Sequence, residues 1–200
     1  MITMGDIAMS PEKEKQTKQA AYEWVQTLVC SVLAIVVLFT FVVRVIRVDG
    51  ESMRETLQDQ DMLLVWNGYL CGAYQAGDIV VLSKESFRNG APIVKRVIAT
   101  EGQTVDIDFN AGVVYVDGAA LEEDYIREPT WTPEGISFPI TVPEGQIFVL
   151  GDNRNDSSDS RHSDLGTIDT RMVIGKAVFL LLPGETADIE KREWGRIGLI

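Results

Sequence analysis

A serine becomes a useful nucleophile only when a neighbouring base takes its proton. Ser52 stands in the run Asp49, Gly50, Glu51, Ser52, Met53, at a glycine-containing bend just past a long apolar stretch. Histidine is the customary base, but the only one, His162, sits in a polar run from 159 to 164, where a solvated ring is the ordinary expectation. Lysine is the other base that serves serine, and residues 44–200 hold four: Lys84, Lys95, Lys176 and Lys191. Lys95 has Ile93 and Val97 as alternating neighbours, and Lys176 follows Ile174 in a similar run. To act near neutrality such an amine must fall from about 10.4 to near 8, a cost of about 3 to 4 kcal/mol that apolar burial can supply. Spacing alone does not choose between Lys95 and Lys176.

Residues 151–161 read Gly, Asp, Asn, Arg, Asn, Asp, Ser, Ser, Asp, Ser, Arg, dense in hydrogen-bonding groups for a plain connector. A calcium loop fits poorly, because Arg154 falls at an early ligand position and no distal glutamate closes the pattern. Pairing of Asp152, Asp156 and Asp159 with Arg154 and Arg161 would instead make a rigid loop able to aim serine hydroxyls or support a base.

Such groups need a body to hold them, and 200 residues suffice for one sizeable core. The chain carries 18 basic and 30 acidic residues, a net charge of −12, which repels phosphate backbones and argues against nucleic acid as a partner. With 46% hydrophobic residues it is neither disordered nor collagenous. Two cysteines make no disulfide framework, and with a single histidine no ordinary zinc site; neither metal nor cofactor is expected.

Residues 24–43 contain no charge and are dominated by Val, Leu, Ile and Phe, long enough to cross a bilayer as a helix. No small-residue cleavage site follows, as a secretory leader would require. The residues before it are read as a tail, residues 1–23, in which Ser10 and Pro11 resemble a helix start. Lys13, Lys15 and Lys18 precede the span and Arg44, Arg47 and Arg54 follow it, so charge does not fix orientation. Beyond the span, apolar runs at 45–48, 62–66, 78–82, 93–99, 113–116, 147–150 and 172–182 predict strands, and no amphipathic helix is evident. Residues 105–109 and 113–115 predict a hairpin, Asp117 and Gly118 the next turn, and the Pro-rich acidic stretch 122–143 irregular loops. The expected organisation is mainly β: a β-rich body of residues 44–105 and 146–200, an inserted small β subdomain of residues 106–145, and one N-terminal transmembrane helix.

Four segments together resemble bacterial type I signal peptidase, the leader peptidase family of serine-lysine proteases. They are Ser52, Met53, Thr56 and Leu57; Gly77 to Val80; Lys95 to Ile98; and Gly151, Asp152, Asn153, Arg154, Ser157, Asp159, Ser160 and Arg161. Ile174, Gly175, Lys176 and Ala177 resemble the strand after that loop. The chain departs from the family pattern at Glu55, at Gln60, and at Glu101 with Gln103. The resemblance implies that Ser52 is nucleophile and Lys95 general base, and that Lys176 is not catalytic. It implies that Ser157 orients the lysine, that Asp159 and Arg161 hold the loop, and that the Ser52 amide forms the main oxyanion donor, with only backbone available from Gly50. Met53, Leu57, Ile93 and Val94 would line shallow pockets for small side chains before the cut. The implied activity is a single-pass endopeptidase of the cytoplasmic membrane, its catalytic domain on the extracytoplasmic face. It would cut signal peptides from exported preproteins, with the lipid bilayer and the export machinery as further partners. The competing readings are a non-catalytic anchored binding module, a sortase-like transpeptidase built on Cys71 and His162, and a self-cleaving repressor, for which residues 1–43 show no DNA-binding domain.

Overall fold

The computed structural model describes residues 11–185 and 192–200, so the expected helix start at Ser10 and the fourth lysine, Lys191, lie outside the described residues. The chain divides into two units, Met1–Val42 and Val43–Ile200.

In the first unit a helix, α1 (Pro11–Val37), continues into one wider π-type turn, Leu38–Val42. No glycine or proline interrupts the chain from residue 12 to 49, which lets one helix run through both the basic residues and the apolar stretch. The segment Lys15–Val42 is long and apolar enough to cross a membrane, and Leu28, Val32, Leu33 and Phe41 are uncovered by protein. The hydroxyls of Thr27 and Ser31 donate to the carbonyls of Glu23 and Thr27, each at 2.8 Å, so their polarity is satisfied within the helix.

The second unit is built of antiparallel strands: β1 (Val43–Arg47), β2 (Met62–Asn67), β3 (Ile79–Leu82), β4 (Ile93–Thr100), β5 (Thr104–Asp108), β6 (Val113–Val116), β7 (Ala119–Ala120), β8 (Ile140–Thr141), β9 (Gln146–Leu150), β10 (Ile168–Asp169), β11 (Val173–Leu182) and β12 (Gly198–Leu199). Helical structure described after Val42 is confined to single 3-10 turns. The predicted apolar runs all become strands, with ends moved by a residue or two. The main sheet has the order β1-β2-β11-β3-β4-β9-β10, with β12 beside β11. Its central strand β3 is apolar on both faces because both are covered, and it is buried at every position.

A second sheet, in the order β7-β6-β5-β8, grows from the chain between β4 and β9. The hairpin β5–β6 turns where Asp108 Oδ1 accepts the amides of Asn110 and Ala111, at 2.9 and 3.0 Å. Gly112 closes it at φ 72°, where a β-carbon would lie 2.5 Å from Pro129. Asp117 and Gly118, both at positive φ, make the tight turn from β6 to β7. Ile98, Ala99, Phe148 and Leu150 of the main sheet pack with Val105, Ile107, Val114 and Val142 around the second, so one apolar cluster joins the sheets. Most of the acidic Pro-rich segment is irregular, as expected, with β8 as its short regular piece.

Candidate functional site

Ser52 follows β1 on a turn in which Arg54 N donates to Glu51 O and Leu57 N to Met53 O, at 3.0 and 2.8 Å. Met53 and Leu57 are sunk in an apolar cluster with Leu63, Ile79 and Val81, which anchors the turn and leaves Ser52 half-buried at its surface. Glu55 takes φ 90°, a conformation closed to proline.

Lys95 reaches the same place from β4. Its Nζ lies 2.6 Å from Ser52 Oγ and 3.0 Å from Val94 O, and the residue is only 3% exposed. Burial pushes the amine down from its ordinary value to about 8; the Arg88 charge lowers it further, while Asp159, Glu134 and Asp152 act in the opposite direction. A neutral amine at this distance is placed to accept the hydroxyl proton, the step that turns serine into a nucleophile.

The polar loop is clamped to both groups. Asn153 donates its backbone N–H to Ser52 O at 3.0 Å and its amide Nδ2 to Glu51 O at 3.1 Å. Gly151 must be glycine: a β-carbon there would stand 2.1 Å from Ser157 Oγ and 2.5 Å from Ser52 O. Arg96, next to Lys95, holds Asp152 bidentately at 2.7 and 2.8 Å, lies 4.1 Å over the Tyr125 ring, and Thr56 Oγ1 donates to the same carboxylate at 2.5 Å. One carboxylate thus ties the nucleophile segment, β4 and the loop together.

Asp159 and Arg161 form the loop's centre, each fully buried, with two guanidinium–carboxylate contacts of 2.8 Å. Asp159 Oδ2 also accepts from Gly151 N and Ser157 Oγ, both at 3.0 Å, while Arg161 donates to Thr132 O and Arg154 O at 2.8 and 2.6 Å. Every donor and acceptor of the pair faces a partner, which is what keeps two buried charges in place.

Several expectations need correction. Of the pairings foreseen inside the loop, Asp159 with Arg161 forms. Asp152 instead turns to Arg96, Arg154 to Glu123, and Asp156 is exposed. Ser157 donates to Asp159, and Lys95 bonds Ser52 and Val94, so no bond joins Ser157 to Lys95; the hydroxyl's one proton is already given to the carboxyl oxygen. A shallow cleft of about 40 Å³ beside Ser52 and Lys95 is walled by Met53, Ile93 and Val94 but not by Leu57, which is completely buried in the core. Cys71 Sγ is turned to the carbonyls of Trp66 and Asn67, whereas His162 accepts from Asp164 N and packs edgewise on Phe87. No hydrogen bond links that pair, which leaves the cysteine reading without its base. Residues that no sequence pattern marked are Glu123, Tyr125 and Glu134; Glu134 accepts the Asp159 amide at 3.2 Å, and burial raises its carboxyl. A cavity of about 640 Å³ lies elsewhere, along Asn67, Tyr74, Gln146 and Val173, and contains neither Ser52 nor Lys95.

The model of the family described as signal peptidase, peptidase S26, matches residues 21–182. A signal peptidase I of Bacillus licheniformis is 32% identical over 183 residues, which cover 88% of this chain and 96% of that protein. A probable signal peptidase I-1 of Synechocystis is 38% identical over 178 residues, 86% of this chain and 83% of that one. A solved signal peptidase I structure from Enterococcus faecalis, 35% identical, covers 52% of this chain and 96% of its own, with a TM-score of 0.43.

Proposed function

Because the chain belongs to the signal peptidase family, peptidase S26, we propose that Ser52 and Lys95 are the nucleophile and general base of its catalysis. The activity is removal of signal peptides from exported preproteins by a serine peptidase. What carries the residue assignment is the 2.6 Å approach of the Ser52 hydroxyl to an amine that burial brings down to about 8.

Ser52 Oγ attacks the scissile carbonyl as its proton passes to Lys95 Nζ. The oxyanion faces the Ser52 N–H, which makes no hydrogen bond among the described residues; the Gly50 N–H is already given to Asp59 Oδ1 at 2.8 Å. The ammonium returns its proton to the departing amine, leaving an ester on Ser52. Water then attacks the ester while Lys95 takes its proton and hands it to Ser52 Oγ as the acyl–oxygen bond breaks, which releases the leader's carboxyl end and restores the serine and the neutral amine. Asp159 and Arg161 act at one remove by fixing the loop that meets Ser52, and Ser157 belongs to that support rather than to the amine.

Substrate binds as an added strand. β3 covers one edge of β4 from Ile93 to Arg96, but β9 pairs with the other only from Arg96 onward, so one edge of residues 93–95 is open to an extended peptide. The small cleft bounded by Met53, Ile93 and Val94 admits methyl-sized side chains and excludes large ones, favouring small residues before the cut. α1 serves as a single membrane anchor, with the second unit extracytoplasmic and the export machinery nearby; tethering raises the effective concentration of a substrate held in the same bilayer. Residues 44–105 and 146–200 form the catalytic domain and 106–145 an insertion carrying most of the second sheet, whose strand β5 begins earlier, at Thr104.

The test is incubation of detergent-solubilised protein with a preprotein ending its leader in Ala-x-Ala, with product masses read by spectrometry. Wild type cuts after the second alanine, while Ser52→Ala and Lys95→Ala leave the preprotein intact. Undiminished cleavage by either variant overturns the assignment.

A further inference from the structure

The cleft beside Ser52 and Lys95 also has a charged rim, formed by Arg47, Asp49 and Arg88. Arg47 is engaged, donating to Gln60 Oε1 at 3.1 Å. Arg88 is exposed, and its guanidinium makes no hydrogen bond or ion pair among the described residues. Its backbone is nonetheless held. Arg88 and Asn89 take φ of 49° and 55°, a region that side chains other than glycine enter only where surroundings impose it. The restraints are Phe87 N to Lys84 O at 2.9 Å, Gly90 N to Phe87 O at 3.1 Å, and Ser83 Oγ to Gly90 O at 2.7 Å, with Phe87 buried in the core. An uncommitted guanidinium is thus presented at the cleft by a fixed turn, and a guanidinium is shaped to meet a carboxylate.

Its place along the substrate follows from the strand. Lys95 stands at the cut and Ile93 lies two residues back along the open edge, about 7 Å at ~3.3 Å per residue, the spacing of the first and third leader residues. Pro92 and Arg88, which line the same cleft, lie past Ile93 and therefore meet the leader farther from the cut.

We propose that Arg88 is a specificity-determining residue that selects preproteins carrying an Asp or Glu at about the fourth or fifth leader residue before the cut. The proposal rests on the catalytic reading of Ser52 and Lys95. Asp49, exposed on the same rim, opposes the selection, so Asp49→Asn sharpens it. Arg88 is also one of the charges that bear on Lys95, together with Asp159, Glu134 and Asp152. Its neutralisation therefore moves the acidic limb of the pH–rate profile upward.

The experiment measures kcat/KM for three Ala-x-Ala peptides with Glu, Gln or Lys at the selected leader position, in low salt, with wild type, Arg88→Asn and Arg88→Asp. Asn and Asp are chosen because they tolerate the left-handed backbone. Wild type should prefer Glu over Lys by about threefold to tenfold, as one exposed ion pair allows; Arg88→Asn should flatten the ranking and Arg88→Asp reverse it. A folding defect would slow all three peptides alike and could not reverse an order. Equal rates in wild type, or an order unchanged by Arg88→Asp, overturn the proposal alone, provided Ser52→Ala is silent. Cleavage by Ser52→Ala would overturn the catalytic reading and this proposal with it.

Discussion

Lys95 on β4 and Lys176 on β11 both stand opposite Val80, on the two strands that flank β3. Each interrupts an apolar run, yet their surroundings are opposite. Lys95 is 3% exposed and meets a hydroxyl and a backbone carbonyl, with no carboxylate in ion-pair contact. The side chain of Lys176 is 38% exposed and its ammonium pairs with Asp78. Water and a carboxylate keep a lysine charged; burial without a paired anion drives it neutral. A lysine's chemistry is therefore decided by what the fold places at the end of its side chain, not by the alternation of its strand.

The strongest way to break the comparison is Lys95→Met, which keeps a linear apolar side chain and removes the amine. Cleavage should fall by on the order of 10³-fold or more. Stability should move the other way. Lys95 is protonated up to about 10.5 when unfolded but only up to about 8 when folded, so its burial cost is fully present below pH 8 and fades as pH rises to 10.5. Lys95→Met should thus be more stable at pH 7 by up to ~3 kcal/mol, less the two lost hydrogen bonds, with the advantage gone near pH 11 in urea titrations. The next effect is on the loop that supports the base. Arg161→Ala strands the Asp159 charge in the core and should cost about 3 to 5 kcal/mol of stability, read as a lowered urea midpoint at unchanged slope. The smallest belongs to the second lysine: Lys176→Met removes a half-exposed pair worth about 1 kcal/mol or less and should leave kcat/KM within about twofold. A loss as large as that of Lys95→Met would erase the distinction between the two.

Much of the fold was legible because apolar runs and turn residues are local signals. The β5–β6 hairpin follows from Asn110, Ala111 and Gly112 between two apolar runs, and β4 and β11 from their Val and Ile. The site was legible in its parts but not in its wiring. Alternation said that Lys95 and Lys176 each sit in a strand, and only the family resemblance preferred the first. The partners of Asp152 and Arg154, Arg96 and Glu123, are distant along the chain, so within-loop pairing was the natural local reading and was incorrect. The family resemblance made Leu57 a pocket wall, but the turn at Met53 directs it into the core. Glu134 and Tyr125 lie in a Pro-rich stretch whose composition signals irregularity and says nothing of what it covers.

The central claim is an amine at Lys95 that burial brings down to about 8, so that a working share of it is neutral near physiological pH, and the direct measurement is the titration of its ε-carbon by NMR in protein with labelled lysine, the resonance assigned by its loss in Lys95→Met. A midpoint near 8, well apart from the exposed lysines, is the predicted result. A midpoint near 10.5 would mean that the amine is charged throughout the working range, and Lys95 could not be the base.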